Sequence, residues 1–166
     1  MYLINKNFIN LSCMLFMALT CSFISQGNEL GKSKNIELTV YKTPSCGCCK
    51  KWLSHVNIHG IDTNPQDFHD LENIKSKFKI KPNLRSCHTA VSSDGFVFEG
   101  HVPAKFIHQF LSEDHGDALG LSVPAMPLGS PGMEVGDRFM PYQVLILFND
   151  GSSQVYAQVN SYKEQF

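Results

Sequence analysis

The chain has 166 residues, a net charge of −1 and a pI of about 6.6. That length suits one domain with a real hydrophobic core. The near-neutral charge gives no sign of the basic footprint that nucleic-acid binding needs, and 43% hydrophobic content with twelve Phe argues against a disordered chain.

Residues 1–27 read as an export signal: Lys6 supplies the positive start, and Leu11 to Ile24 is an apolar run of the length such signals use. The run falls short of the about 20 apolar residues of a membrane span, and Ser25 and Gly27 offer a cleavage pattern. Ala18-Leu19-Thr20-Cys21 resembles a lipoprotein cleavage box, but Thr20 stands where Gly, Ala or Ser is usual. Lipoprotein anchoring at Cys21 and a retained anchor are therefore the weaker alternatives. Cleavage removes Cys13 and Cys21, and the mature chain enters an oxidising compartment with Cys46, Cys48, Cys49 and Cys87.

Residues 28–35 form a polar linker to a domain spanning 36–160. Ile36 to Tyr41 alternates in β-forming residues and reads as a strand. Thr43-Pro44-Ser45 breaks it, with Ser45 as the expected helix N-cap. Cys49, Trp52, Leu53 and Val56 then fall at i, i+3, i+4 and i+7, the buried stripe of a helix that Gly60 stops. A weak strand is expected near Ile58 to Thr63. Leu71, Ile74 and Phe78 mark a second helix, ended by Pro82. His88 to Ser92 and Phe96 to Gly100 flank Asp94-Gly95, a strong hairpin signal. Pro103 opens a third helix with Phe106, Ile107, Phe110 and Leu111 inward. Residues 116–141, rich in Gly and Pro and holding Met126, Met133 and Met140, read as a long loop; Gln143 to Phe148 and Gln154 to Val159 close the chain as a hairpin.

This order predicts an α/β fold: a thioredoxin-like mixed sheet with flanking helices, plus a Gly/Pro/Met loop and a C-terminal β-hairpin. In such a fold the segment before the hairpin packs against the helix start that carries the first cysteines. Thioredoxins keep a cis-proline there, and this chain has Cys87-His88.

Three thiols in Cys46-Gly47-Cys48-Cys49, at a helix start whose dipole favours thiolate, locate the chemistry. With Cys87, His88 and the thioethers of Met126 and Met133, they make a soft donor set suited to Cu(I), including more than one ion bridged by thiolates. Zinc competes, since four thiolates also satisfy a tetrahedral site. Met140 is expected in the core, and His101 is balanced between a hydrogen-bonded role and ligation. His55, His59, His69, His108 and His115 are expected at the surface. Cys46 and Cys49 also form a Cys-x-x-Cys pair, so the alternative is a thiol–disulfide oxidoreductase using those two residues. Two inert structural disulfides are a further alternative, disfavoured because three of the four cysteines crowd one turn.

Together, Tyr41 to Cys49, Ser86 to Val91, Glu99 to Pro103 and Gly120 to Glu134 resemble the CopG family of bacterial periplasmic copper-resistance proteins, long known as a domain of unknown function. The resemblance runs from about Ile36 to Val159. It implies a thioredoxin-like fold, a periplasmic location, copper held by Cys46, Cys48, Cys49 and Cys87, and a role in copper tolerance through redox cycling of bound copper. The implied partners are copper ions and other periplasmic copper-handling proteins. Thr43-Pro44-Ser45-Cys46 also looks like the start of arsenate-reductase-like chains, but Arg85 and Arg138 are too few for their oxyanion site.

Overall fold

The computed structural model describes residues 35–166; the expected export signal, most of the expected linker, Cys13 and Cys21 lie outside them. The elements are β1 (Ile36–Lys42), α1 (Gly47–Ile58), β2 (Ile61–Asp67), α2 (Glu72–Lys77), a 3₁₀ turn (Pro82–Leu84), β3 (Thr89–Ser92), β4 (Val97–Gly100), α3 (Ala104–Ser112), β5 (Ala118–Val123), β6 (Tyr142–Phe148), β7 (Ser153–Val159) and a final 3₁₀ turn (Tyr162–Gln165). They build one seven-stranded mixed sheet in the order β2-β1-β3-β4-β5-β6-β7. β1 runs parallel to β2 and antiparallel to β3, while β4 runs parallel to β5. The α/β class and the expected element order through α3 hold. No helix among the described residues is long and apolar enough to cross a membrane.

Strand alternation sends neighbours to opposite faces. Phe98 joins Trp52, Val56, Phe106, Ile107 and Phe110 beneath α1 and α3. Its neighbour Val97 joins Ile80, Leu84 and Leu147 on the other face. The stripe read on α1 is inward as expected: Cys49, Trp52 and Val56 are wholly buried.

Three expectations shift. The weak strand near residue 58 is β2, starting later at Ile61, because α1 continues through Ile58. β2 is an edge strand held by its parallel register with β1, so it tolerates Pro65 and shows little apolar alternation. The long loop is shorter than 116–141, since Ala118–Val123 forms β5 between β4 and β6. Its Gly120 concealed the strand, yet is required there: φ is +148° and a Cβ would lie 1.8 Å from the Val97 carbonyl oxygen. Met140 is 56% exposed rather than core. Pro141 separates it from the β6 alternation, which turns Tyr142 and Val144 inward instead.

Candidate metal centre

The thiol turn begins where β1 ends. Cys46 N–H donates to Thr43 O at 3.1 Å, so Pro44 and Ser45 occupy the middle of a turn and the helix starts one residue later than expected. Cys46, not Ser45, is the N-cap, and its Sγ accepts the Cys49 N–H at 3.3 Å. All three thiols therefore sit in the first turn of α1, where no acidic residue offsets the positive end of the helix dipole.

Cys87 arrives from the segment between the 3₁₀ turn and β3. Its Sγ lies 3.5 Å from Cys49 Sγ, and Cys46 Sγ lies 3.5 Å from Cys48 Sγ. The sulfurs of Cys46, Cys48, Cys49 and Cys87 all fall within 4.8 Å of one another, a spread that one metal ion or a small cluster can bridge. Cys46 and Cys49 are joined by a disulfide, and Cys48 and Cys87 are free thiols. All four sulfurs become thiolate donors only when that bond is reduced.

Two imidazoles adjoin this cluster. His88 is fully buried, with Nδ1 3.3 Å from Cys87 Sγ and its ring 4.3 Å from the Trp52 ring. Its Nε2 is buried without a hydrogen-bond partner. His101 Nδ1 lies 2.7 Å from the Pro131 carbonyl oxygen and Nε2 3.0 Å from Cys87 Sγ. Assigning the proton to Nδ1, which donates to Pro131, leaves the Nε2 lone pair facing the sulfur. Cys87, His88 and His101 thus form a second group within 4.8 Å that shares Cys87 with the first. His101, left undecided by the sequence, is brought to the centre because Gly100 turns β4 sharply before it with φ +75°.

Burial sets the protonation states. Both His88 and His101 are pushed below the usual imidazole range chiefly by desolvation, which keeps them neutral and able to donate a lone pair. Burial, then the neighbouring Cys48, pushes the Cys87 thiol up to about 12. Loading a metal at Cys87 therefore displaces a proton.

The loop carrying the predicted thioether ligands lies over α1. A Cβ on Gly132 would fall 2.7 Å from Cys48 O and 2.8 Å from Trp52 N, so the loop backbone rests on the thiol turn itself. Met133 is the next residue and partly buried, whereas Met126 is 49% exposed. Ala125, just before Met126, holds φ +60° and donates its N–H to Arg85 O, two residues from Cys87. Among the other histidines, His55 and His115 depart from expectation. His55 is partly buried and accepts the Ala104 N–H, at the start of α3, at 3.1 Å, and His115 is partly buried with its ring stacked 4.1 Å from that of Phe110.

The same architecture occurs in solved proteins. A copper resistance protein CopG, in a form 2 structure, is 39% identical, with 75% of this chain and 98% of that chain covered at a TM-score of 0.70. Its form 1 structure gives 39% identity, coverages of 74% and 96%, and a TM-score of 0.69. The chain belongs to the CopG family. A family profile described as a protein of unknown function, DUF411, also matches residues 84–133. No curated protein matches the chain. The DUF411 match begins just before Cys87 and ends at Met133.

Proposed function

We propose that this protein is a periplasmic copper-binding protein that holds Cu(I), as more than one ion, through clustered thiolates and contributes to copper resistance. The observation that carries this reading is the convergence of four cysteine sulfurs within 4.8 Å, with His88 and His101 nitrogens beside the shared Cys87. Soft thiolates and neutral imidazoles favour Cu(I). Adjacent thiols on one helical turn bridge neighbouring ions more readily than they enclose one tetrahedral zinc. The family's copper resistance proteins support the choice of metal.

In this reading Cys46, Cys48, Cys49 and Cys87 are the thiolate donors, and His88 and His101 add nitrogen beside Cys87. Met126 and Met133 supply thioethers from the loop over the thiol turn. The thiolates would favour Cu(I) and the imidazoles would also suit Cu(II), so the donor set fits copper in either oxidation state, as the redox cycling of bound copper in this reading requires. The fold around the centre is thioredoxin-like, supported by the strand order β2-β1-β3-β4 with β3 antiparallel to both neighbours.

The test titrates Cu(I) into reduced protein under anaerobic conditions against a chromophoric chelator. More than one Cu(I) per chain is expected, with most of the binding lost in Cys87→Ser. Full stoichiometry in both Cys46→Ser and Cys87→Ser overturns the reading. The Cys46–Cys49 disulfide favours one competing reading, a thiol–disulfide oxidoreductase. That activity would depend on Cys46 and Cys49, survive chelators, and need no copper.

A further inference from the structure

Behind Cys87-His88 lies a buried ion pair that touches no sulfur. Lys75 on α2 is 4% exposed and Glu99 on β4 is fully buried. Lys75 Nζ donates to Glu99 Oε1 at 2.5 Å and to Thr89 Oγ1 at 3.1 Å. The same carboxylate grips both flanks of the dipeptide. Ser86 N–H donates to Oε1 at 2.6 Å, and the Thr89 hydroxyl donates to Oε2 at 2.6 Å. The next residue completes the clasp, as Gly100 N–H donates to His88 O at 2.9 Å. There is no slack in this approach: a Cβ on Gly100 would lie 2.5 Å from Ser86 Cβ.

Core stability alone does not call for this pair. Desolvating two charges often costs more than their attraction returns, and apolar side chains of like volume commonly serve as well or better. A carboxylate does one thing that leucine cannot. Its two oxygens accept from Ser86 and Thr89 at once, fixing the backbone between them and hence the direction of the Cys87 and His88 side chains. Lys75 supplies the matching charge that lets the carboxylate remain buried.

The geometry points to Glu99, charge-matched by Lys75, as a positioning residue that presets Cys87 and His88 for capture of a soft metal ion. This role rests on the copper-binding reading above. It goes beyond that reading by assigning work to two residues that never touch the metal. Outer partners of metal ligands are commonly worth about 10–100-fold in affinity.

The test measures Cu(I) affinity by chelator competition on the reduced full chain, with folding followed by near-ultraviolet circular dichroism and thermal unfolding. Lys75→Met with Glu99→Leu should still fold, somewhat less stable because the Ser86 N–H and the buried Thr89 hydroxyl lose their acceptor, and bind Cu(I) about 10–100-fold more weakly. Lys75→Met with Glu99→Gln, whose amide oxygen still accepts from Ser86 and whose NH₂ reaches Thr89, should regain most of the loss. In a Cys87→Ser background the Met/Leu pair should cause a clearly smaller further loss, because only His88 is left to be positioned. Wild-type affinity in the Met/Leu variant overturns the proposal, and so does an equal loss with and without Cys87. If the Met/Leu variant does not fold, Glu99→Asp replaces it; its arm is too short to hold both flanks, so the same loss is expected and wild-type affinity overturns the proposal. Wild-type affinity in Cys87→Ser alone also overturns the positioning role, and the same result in Cys46→Ser as well overturns the copper reading on which it rests.

Discussion

Replacing Gly132 by Ala tests whether the loop truly rests on the thiol turn. Gly132 has φ +89°, a conformation that costs an L-residue about 1–2 kcal/mol. The added Cβ would stand 2.7 Å from Cys48 O and 2.8 Å from Trp52 N. Both neighbours are helix backbone, so neither can swing aside as a side chain would. Ordinary contact begins near 3.4 Å, and the loop must therefore lift by roughly 0.7 Å. Overpacking of this kind costs about 1–3 kcal/mol, giving about 2–5 kcal/mol in all. For a domain of this size that corresponds to a fall in Tm of about 10 °C. Gly47→Ala is the control: it lies in the same turn, a Cβ there would meet nothing within 4 Å, and its φ is ordinary. Its stability should be unchanged or raised by about 0.5–1 kcal/mol, since Ala is the better helix former. Differential scanning calorimetry of the two variants decides the matter. A Gly132→Ala variant within about 0.5 kcal/mol of wild type would refute the close docking of loop on helix, because surface substitutions free of such contacts fall in that range.

Acid should destabilise the protein through its histidines. His55 is drawn down to about 4, chiefly by burial and then by His59 against the pull of Glu134, and His88 and His101 shift the same way. The unfolded chain binds these protons near 6.5 and the folded one does not. The stability they contribute is thus complete above pH 6.5 and is lost as pH falls toward 4. Urea unfolding at pH 7, 5.5 and 4.5 should show this decline, and a flat profile would contradict it. Cys87, with its thiol raised from 9.0 to about 12, should be alkylated at pH 8 about a thousandfold more slowly than an unfolded cysteine, as mass spectrometry can follow. Gln165→Leu should cost about 2–5 kcal/mol in chemical denaturation. It strands the buried Tyr142 hydroxyl, now 2.6 Å from Gln165 Oε1, and the Gly129 carbonyl, now 3.0 Å from Nε2.

The helical stripe of Cys49, Trp52 and Val56 and the Asp94-Gly95 hairpin were legible in the sequence because local periodicity and turn chemistry are written in neighbouring residues. The position of the candidate centre was legible for the same reason, since the crowded thiols stand next to one another in the chain. β5 was not, because Gly120 reads as a loop residue until Val97 is laid against it. β2 was faint because an edge strand held by backbone bonds carries no apolar alternation. His101 was left undecided between hydrogen bonding and ligation, and the Lys75–Glu99 pair behind the centre was invisible. Local pattern does not say what these side chains meet; they come to the Cys87-His88 segment because β3 and β4 pair with Thr89 opposite Glu99. Residue chemistry by itself determined which donors the protein offers. Strand pairing and the docking of the loop decided which of them meet, because distances across a sheet are set by register and not by separation along the chain.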